Sequence, residues 1–183
     1  MNTDDYFRKI QGDNPALTKA CKRYARTQAV YLRTDPLVGI HNYSMPAEVI
    51  TNVCPILADL HEEFILSRPN MFYMDPHTAL MPHTDPDRHV SINMLIKGWD
   101  SKFLYFEHRN NGTNHIELTY DPDVLYICNS SKTHQVLNIS EPRLLLTIKL
   151  SEKNADTDNV SYRESFVTFD DVVNYFSERS LLA

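Results

Sequence analysis

Two periodicities divide the chain near residue 68. Upstream, apolar side chains recur every three to four residues. Asn14-Pro15 sets a capping side chain before a proline at the first helical position. Leu17, Ala20, Cys21, Tyr24, Gln28, Val30 and Tyr31 then form a roughly helical stripe beside Lys19, Lys22, Arg23 and Arg26, the solvated face. Ser44 and Pro46 open a second helical stretch through Val49, Ile50, Val53, Ile56, Leu57, Leu60 and Phe64, which Pro55 kinks or splits. Beyond Arg68-Pro69 the pattern becomes short β-branched and aromatic runs: His89–Ile96, Phe103–Phe106, His115–Tyr120, Val124–Cys128, Gln135–Ile139 and Arg143–Leu150. Turn-forming sequence separates them at 97–101, Asn110-Asn111-Gly112, Asp121-Pro122-Asp123 and Ser140-Glu141-Pro142. Glu152–Asn159 reads as an exposed connection, and Thr168 with Asp171 as a capping box opening a last helix to about Arg179.

Strands this short at such regular spacing predict an antiparallel barrel or sandwich. The expected fold class is α+β, mainly β, with N-terminal helices packed on the sheet and a C-terminal helix. One domain is expected over residues 1–183: a helical part at 1–68, a β core at 69–150 and an extension at 151–183. Val172, Val173, Tyr175 and Phe176 give the last helix an apolar face for either the core or a dimer.

Composition adjusts this picture in three ways. With 18 basic and 24 acidic residues the formal charge is −6, so nucleic acid is a poor default partner. Cys21, Cys54 and Cys128 are odd in number and lack a Cys-x-x-Cys pair, which predicts reduced thiols and a cytoplasmic setting (a host's cytoplasm if the chain is viral). Neither a secretory leader nor a membrane-length apolar run is expected from the sequence. Four glycines leave no phosphate-cradling loop.

The chemistry concentrates at His83-Thr84-Asp85, His134 and Arg143. Chance alone supplies roughly one His-x-Asp triplet in a chain of this composition. Geometry adds discrimination, because positions i and i+2 of a strand share a face and can grip one ion. His61-Glu62-Glu63 lies in a helical stretch, where such a pair diverges. His115-Ile116-Glu117 lies on a strand but only 17 residues before His134. Two imidazoles and one carboxylate suit an iron(II) centre with open positions. Arg143, across a Ser-Glu-Pro turn from the His134 strand, is expected on an adjacent strand, sharing a face with Leu145 and Thr147. An interior guanidinium there wants an anion; the competing reading is an edge-strand arginine paired with Glu141 or another surface acid.

The stretch Met81–Leu150 resembles the catalytic core of the 2-oxoglutarate- and iron(II)-dependent oxygenases, particularly small members from phages and marine bacteria. Pro82-His83-Thr84-Asp85, Val90–Leu95, Phe103–Phe106, Ser131–Asn138 and Pro142–Thr147 carry the likeness. It implies a double-stranded β-helix (jelly roll) and iron(II) held by His83, Asp85 and His134. It also implies Arg143 on the distal carboxylate of 2-oxoglutarate, with dioxygen as oxidant and succinate and carbon dioxide as products. Tyr105, Asn93 and Thr147, then Tyr73, are candidates to complete the carboxylate site, each also readable as an ordinary strand residue. The implied activity is hydroxylation of a C–H bond in a small molecule, amino acid or peptide side chain.

Arg88 is a candidate contact for an anionic substrate, or a turn residue pairing with Asp85 or Asp87. His77 and His89 are expected to be surface or hydrogen-bonded residues, and Trp99 a loop aromatic that could close over the site. Two other functions compete: a cupin-type metal enzyme without 2-oxoglutarate, and a non-catalytic barrel serving as a binding module. Arg143 separates them, since its role is evident only if a dicarboxylate binds.

Overall fold

The computed structural model describes residues 1–28, 39–86, 88–107, 114–138, 140–153 and 167–183, all but the side chains of Gln28 and Arg68. Among the described residues the strands are β1 (Phe7–Lys9), β2 (Ile40–Ser44), β3 (Phe64–Met74), β4 (Ala79–His83), β5 (Val90–Lys97), β6 (Lys102–Phe106), β7 (His115–Leu118), β8 (Tyr126–Asn129), β9 (His134–Leu137) and β10 (Arg143–Glu152). They form two sheets, β1-β8-β5-β10-β3-β2 and β4-β9-β6-β7, and every pairing is antiparallel. From β3 to β6, and again from β8 to β10, successive strands alternate between sheets. That alternation is the double-stranded β-helix, with β1 and β2 added at the edges of the larger sheet.

The strands of the larger sheet are apolar on both faces, so each face needs a cover. Val90, Ile92, Met94, Leu146, Ile148 and Leu150 pack outward under the helices. Those helices are α1 (Pro15–Gln28), α2 (Ala47–Thr51), α3 (Pro55–Glu63) and α4 (Phe169–Glu178). They contribute Leu17, Cys21, Ile50, Leu57, Leu60, Val172 and Phe176 to the same cluster. The opposite face, with Leu95, Leu145, Tyr126 and Cys128, meets Phe103, Tyr105 and Val136 of the smaller sheet. The apolar face of α4 therefore belongs to the core, and its capping box is formed reciprocally by Thr168 and Asp171.

Several expectations shift. Pro55 splits the second helical stretch, opening α3 at its first position. β3 starts at Phe64 and runs through Pro69, whereas the sequence pattern places the change after it. Pro69 has no amide to donate, and the β3–β10 register slips there, between Thr147↔Asn70 and Lys149↔Ser67. The slip lets Leu66 and Met71, five residues apart, enter the same cluster. The short strands β1 and β2 lack a period long enough to read. Val30, Tyr31, Asn110–Gly112, Ile139 and most of Glu152–Asn159 fall outside the described residues. No described helix is long and apolar enough to cross a membrane.

Candidate metal and co-substrate site

The antiparallel register of β4 and β9 places His83 directly opposite His134. Their rings lie 4.4 Å apart between centroids. His83 is the last residue of β4, so Asp85 sits just beyond the strand, not on it as the i, i+2 argument assumes. Its backbone is held by a hydrogen bond to the Ser130 carbonyl, at 3.1 Å. The Asp85 carboxylate then lies 3.7 Å from His83 Nε2 and 3.9 Å from His134 Nε2. One ligand atom from each of the three residues falls within 4.8 Å of the others.

The tautomers suit a metal. His83 Nδ1 lies 2.8 Å from the Met81 carbonyl and His134 Nδ1 lies 2.9 Å from the Lys132 carbonyl. A carbonyl only accepts, so Nδ1 donates in both rings, which leaves Nε2, on the Asp85 side, as the nitrogen available to a cation. Burial pushes His134 below the usual histidine pKa, with Asp85 partly opposing. Burial pushes Asp85 upward, but the charge and hydrogen bond of Arg88, helped by both imidazoles, bring it net below the usual carboxylate range. The neutral imidazole and the carboxylate are thus the favoured forms, the forms a cation needs.

Beside this cluster lies a cavity of about 250 Å³. Leu80, Phe103 and Val136 wall it on one side, Phe72 and Leu145 on the other, with Asn42, Ser91 and Ser130 as polar points. Arg143, 1% exposed, lines it from β10. Its Nε donates to Ser101 Oγ at 3.2 Å, while Nη1 and Nη2 are buried without any partner. No carboxylate among the described residues pairs with it, so the edge-strand reading fails on geometry. Burial draws its pKa below the usual guanidinium value. A buried cation with two orphaned donors is costly unless an anion joins it.

Other candidates separate. Asn93 lines the cavity with an unpartnered Oδ1. Tyr105 packs behind the wall, its ring 6.0 Å from His134, its hydroxyl also unpartnered, and burial pushes its pKa well up so that it stays a neutral donor. The Thr147 hydroxyl accepts from Arg88 Nη1 at 3.3 Å. Tyr73 faces the opposite side of the sheet, lining with His41 and Tyr43 a groove of about 620 Å³ beside α1. Arg88 takes the turn-residue pairing, donating from Nε to Asp85 Oδ2 at 2.7 Å. Trp99 is 47% exposed. The rival triplets have other roles: His61 Nδ1 receives the Leu66 amide below α3, and Glu117 pairs with Lys102 at the surface.

The greatest departure concerns His134 and Arg143. Their strands are not a hairpin in one sheet; β9 and β10 belong to the two facing sheets. Facing each other across the two sheets, His134 and Arg143 line one cavity. Asn42 and Phe72 as cavity residues, and the contact of Ser101 with Arg143, have no signal in the sequence, since they arise through pairings that no local pattern encodes.

No family model matches the chain, and no curated protein does. Solved structures do. A prolyl-4-hydroxylase from Pseudomonas putida superposes with a TM-score of 0.59 at 15% identity, over 81% of this chain and 93% of that one. The viral collagen prolyl hydroxylase of Paramecium Bursaria Chlorella virus-1, as a 2-oxoglutarate complex, gives 0.56 at 12% identity over 79% and 95%. HygX from Streptomyces hygroscopicus, with nickel, 2-oxoglutarate and hygromycin B bound, gives 0.59 at 11% identity over 92% and 96%. The double-stranded β-helix implied by the sequence resemblance is therefore the fold of this chain, shared with these solved structures.

Proposed function

We propose that the 183 residues form one iron(II)- and 2-oxoglutarate-dependent oxygenase domain, hydroxylating a C–H bond of a small molecule or an amino-acid or peptide side chain. The observation that carries the proposal is Arg143: a buried guanidinium with two unpartnered donors, opening into the cavity that also holds His83, Asp85 and His134. The three residues would hold iron through two Nε2 atoms and a carboxylate oxygen, a two-histidine, one-carboxylate set that leaves positions open. Iron with 2-oxoglutarate and dioxygen supplies an oxidant able to attack an unactivated C–H bond, with succinate and carbon dioxide released. Arg143 binds the distal carboxylate, its planar donors matched to two oxygens. Asn93 adds a polar point in the cavity, Tyr105 backs its wall, and the apolar walls keep water away from the reacting centre.

Structural neighbours named for prolyl residues and for hygromycin B support peptide and small-molecule substrates alike. The net charge of −6 and the unpaired thiols favour a cytoplasmic enzyme without a nucleic-acid partner. A cupin-type enzyme gives Arg143 no task. The test is anaerobic addition of 2-oxoglutarate to the iron(II)-loaded protein. A visible metal-to-ligand charge-transfer band is expected, lost or strongly weakened in Arg143→Ala, with succinate formed once air is admitted. Iron binding without the band would support the cupin reading; no iron binding would support a non-catalytic module.

A further inference from the structure

Arg143 is gripped by a turn that the proposed chemistry leaves unexplained. Residues 98–101 carry the chain from β5 in the larger sheet to β6 in the smaller one, beside the 140–142 segment that leads into β10. Gly98 has φ +88°, and a Cβ there would stand 2.7 Å from Arg143 Cα and 3.1 Å from the Pro142 carbonyl oxygen. Only glycine allows that approach. The turn closes on itself through Ser101 N–H to Gly98 O at 3.0 Å. Asp100 accepts from the Ser140 amide at 2.7 Å and from the Ser140 hydroxyl, tying the two segments together. Ser101 Oγ then accepts the Nε–H of Arg143 at 3.2 Å.

A guanidinium offers a carboxylate two bidentate edges: side-on through Nε and one Nη, or end-on through both Nη atoms. Ser101 occupies Nε, and the atoms left orphaned are Nη1 and Nη2. Only the end-on edge remains available. An end-on carboxylate lies in line with the side chain and a side-on one lies beside it, so the edge in use fixes the span between distal carboxylate and metal.

We propose that Ser101 is a positioning residue that forces end-on binding at Arg143 and so sets which lengths of 2-oxo dicarboxylate the site accepts. This rests on the 2-oxoglutarate reading above. The experiment is calorimetric titration of manganese(II)-loaded protein, without turnover, with four-carbon oxaloacetate, five-carbon 2-oxoglutarate and six-carbon 2-oxoadipate. Ser101→Thr and Ser101→Val are compared because they match in volume and differ in the hydroxyl. Ser101→Thr is expected to keep the wild-type affinities and ratios. Ser101→Val is expected to bind 2-oxoglutarate about tenfold more weakly, with the preference over the other two lengths narrowed. Equal affinities and ratios in both variants would overturn the role of Ser101 alone. Failure of the wild type to bind 2-oxoglutarate, or binding undiminished in Arg143→Ala, would overturn the co-substrate reading and this inference with it.

Discussion

The guanidinium of Arg88 donates from Nε to Oδ2 of Asp85 at 2.7 Å, and its Nη1 reaches the Thr147 hydroxyl at 3.3 Å. One side chain thus ties the loop after β4 to the middle of β10. Asp85 Oδ2 is engaged, which leaves Oδ1, 3.7 Å from His83 Nε2, as the freer oxygen for a cation. Outer partners of this kind orient a ligand, and their removal commonly costs about 10–100-fold in metal affinity. Arg88→Ala is expected to weaken manganese(II) binding by about tenfold, measured by calorimetry, with Arg88→Lys only partly restoring it because an ammonium lacks the planar fork. If Arg88 serves an anionic substrate instead, metal affinity will not move and only the substrate KM will rise.

Arg143→Met should separate stability from function. The wild-type protein carries a buried guanidinium with two unmet donors, and an apolar side chain of similar length removes that penalty. Without ligands, the variant is expected to be as stable as the wild type or about 1–3 kcal/mol more stable in urea unfolding. The charge-transfer band with 2-oxoglutarate should vanish. A marked loss of stability would show that Arg143 is held by contacts worth more than its buried charge costs.

The metal-free protein should lose stability as pH falls below the ordinary histidine range. His134 has a lowered folded pKa, so the unfolded chain binds the proton first; its contribution is present above the unfolded value of about 6.5 and is lost on acidification through the folded one. Asp85, also lowered, adds a second loss beginning near the ordinary carboxylate value of about 3.9. Thermal midpoints between pH 8 and pH 5 should therefore decline, and His134→Gln should flatten part of that decline. An unchanged slope in the variant would assign the pH dependence to other groups.

Thr168→Ala removes half of a reciprocal cap, in which Thr168 Oγ1 takes the Asp171 amide at 3.2 Å and Asp171 Oδ2 takes the Thr168 amide at 2.8 Å. A loss of about 1 kcal/mol is expected in urea unfolding, because α4 buries Phe169, Val172 and Phe176. Manganese(II) affinity should be unaffected. A fall in metal affinity would show that α4 is coupled to the site through the larger sheet.

Local patterns carried much of the fold. The proline start of α1 at Pro15, the capping box of α4 and the apolar runs of β5, β6 and β10 follow from short-range sterics and hydrogen bonding, and these are written in neighbouring residues. Strand pairing is a long-range property and is not written in neighbouring residues. Asp85 was expected on a strand and lies beyond its end; Tyr73 was a candidate for the cavity and faces the opposite side of the sheet.

By itself, then, the sequence pointed to most of the helices and longer strands, to the jelly-roll class by its resemblance, and to His83, Asp85, His134 and Arg143 as candidates. Tertiary structure decided that β9 and β10 lie in opposing sheets, that Arg88 belongs to Asp85, and that Gly98 and Ser101 close on Arg143. The reason is physical. Side-chain direction within a strand is a local property of period two, whereas sheet membership depends on where a crossing loop finds hydrogen-bond partners far away in the chain. Asp100 and Ser140, 40 residues apart, supply one such tie, and no window of sequence contains both.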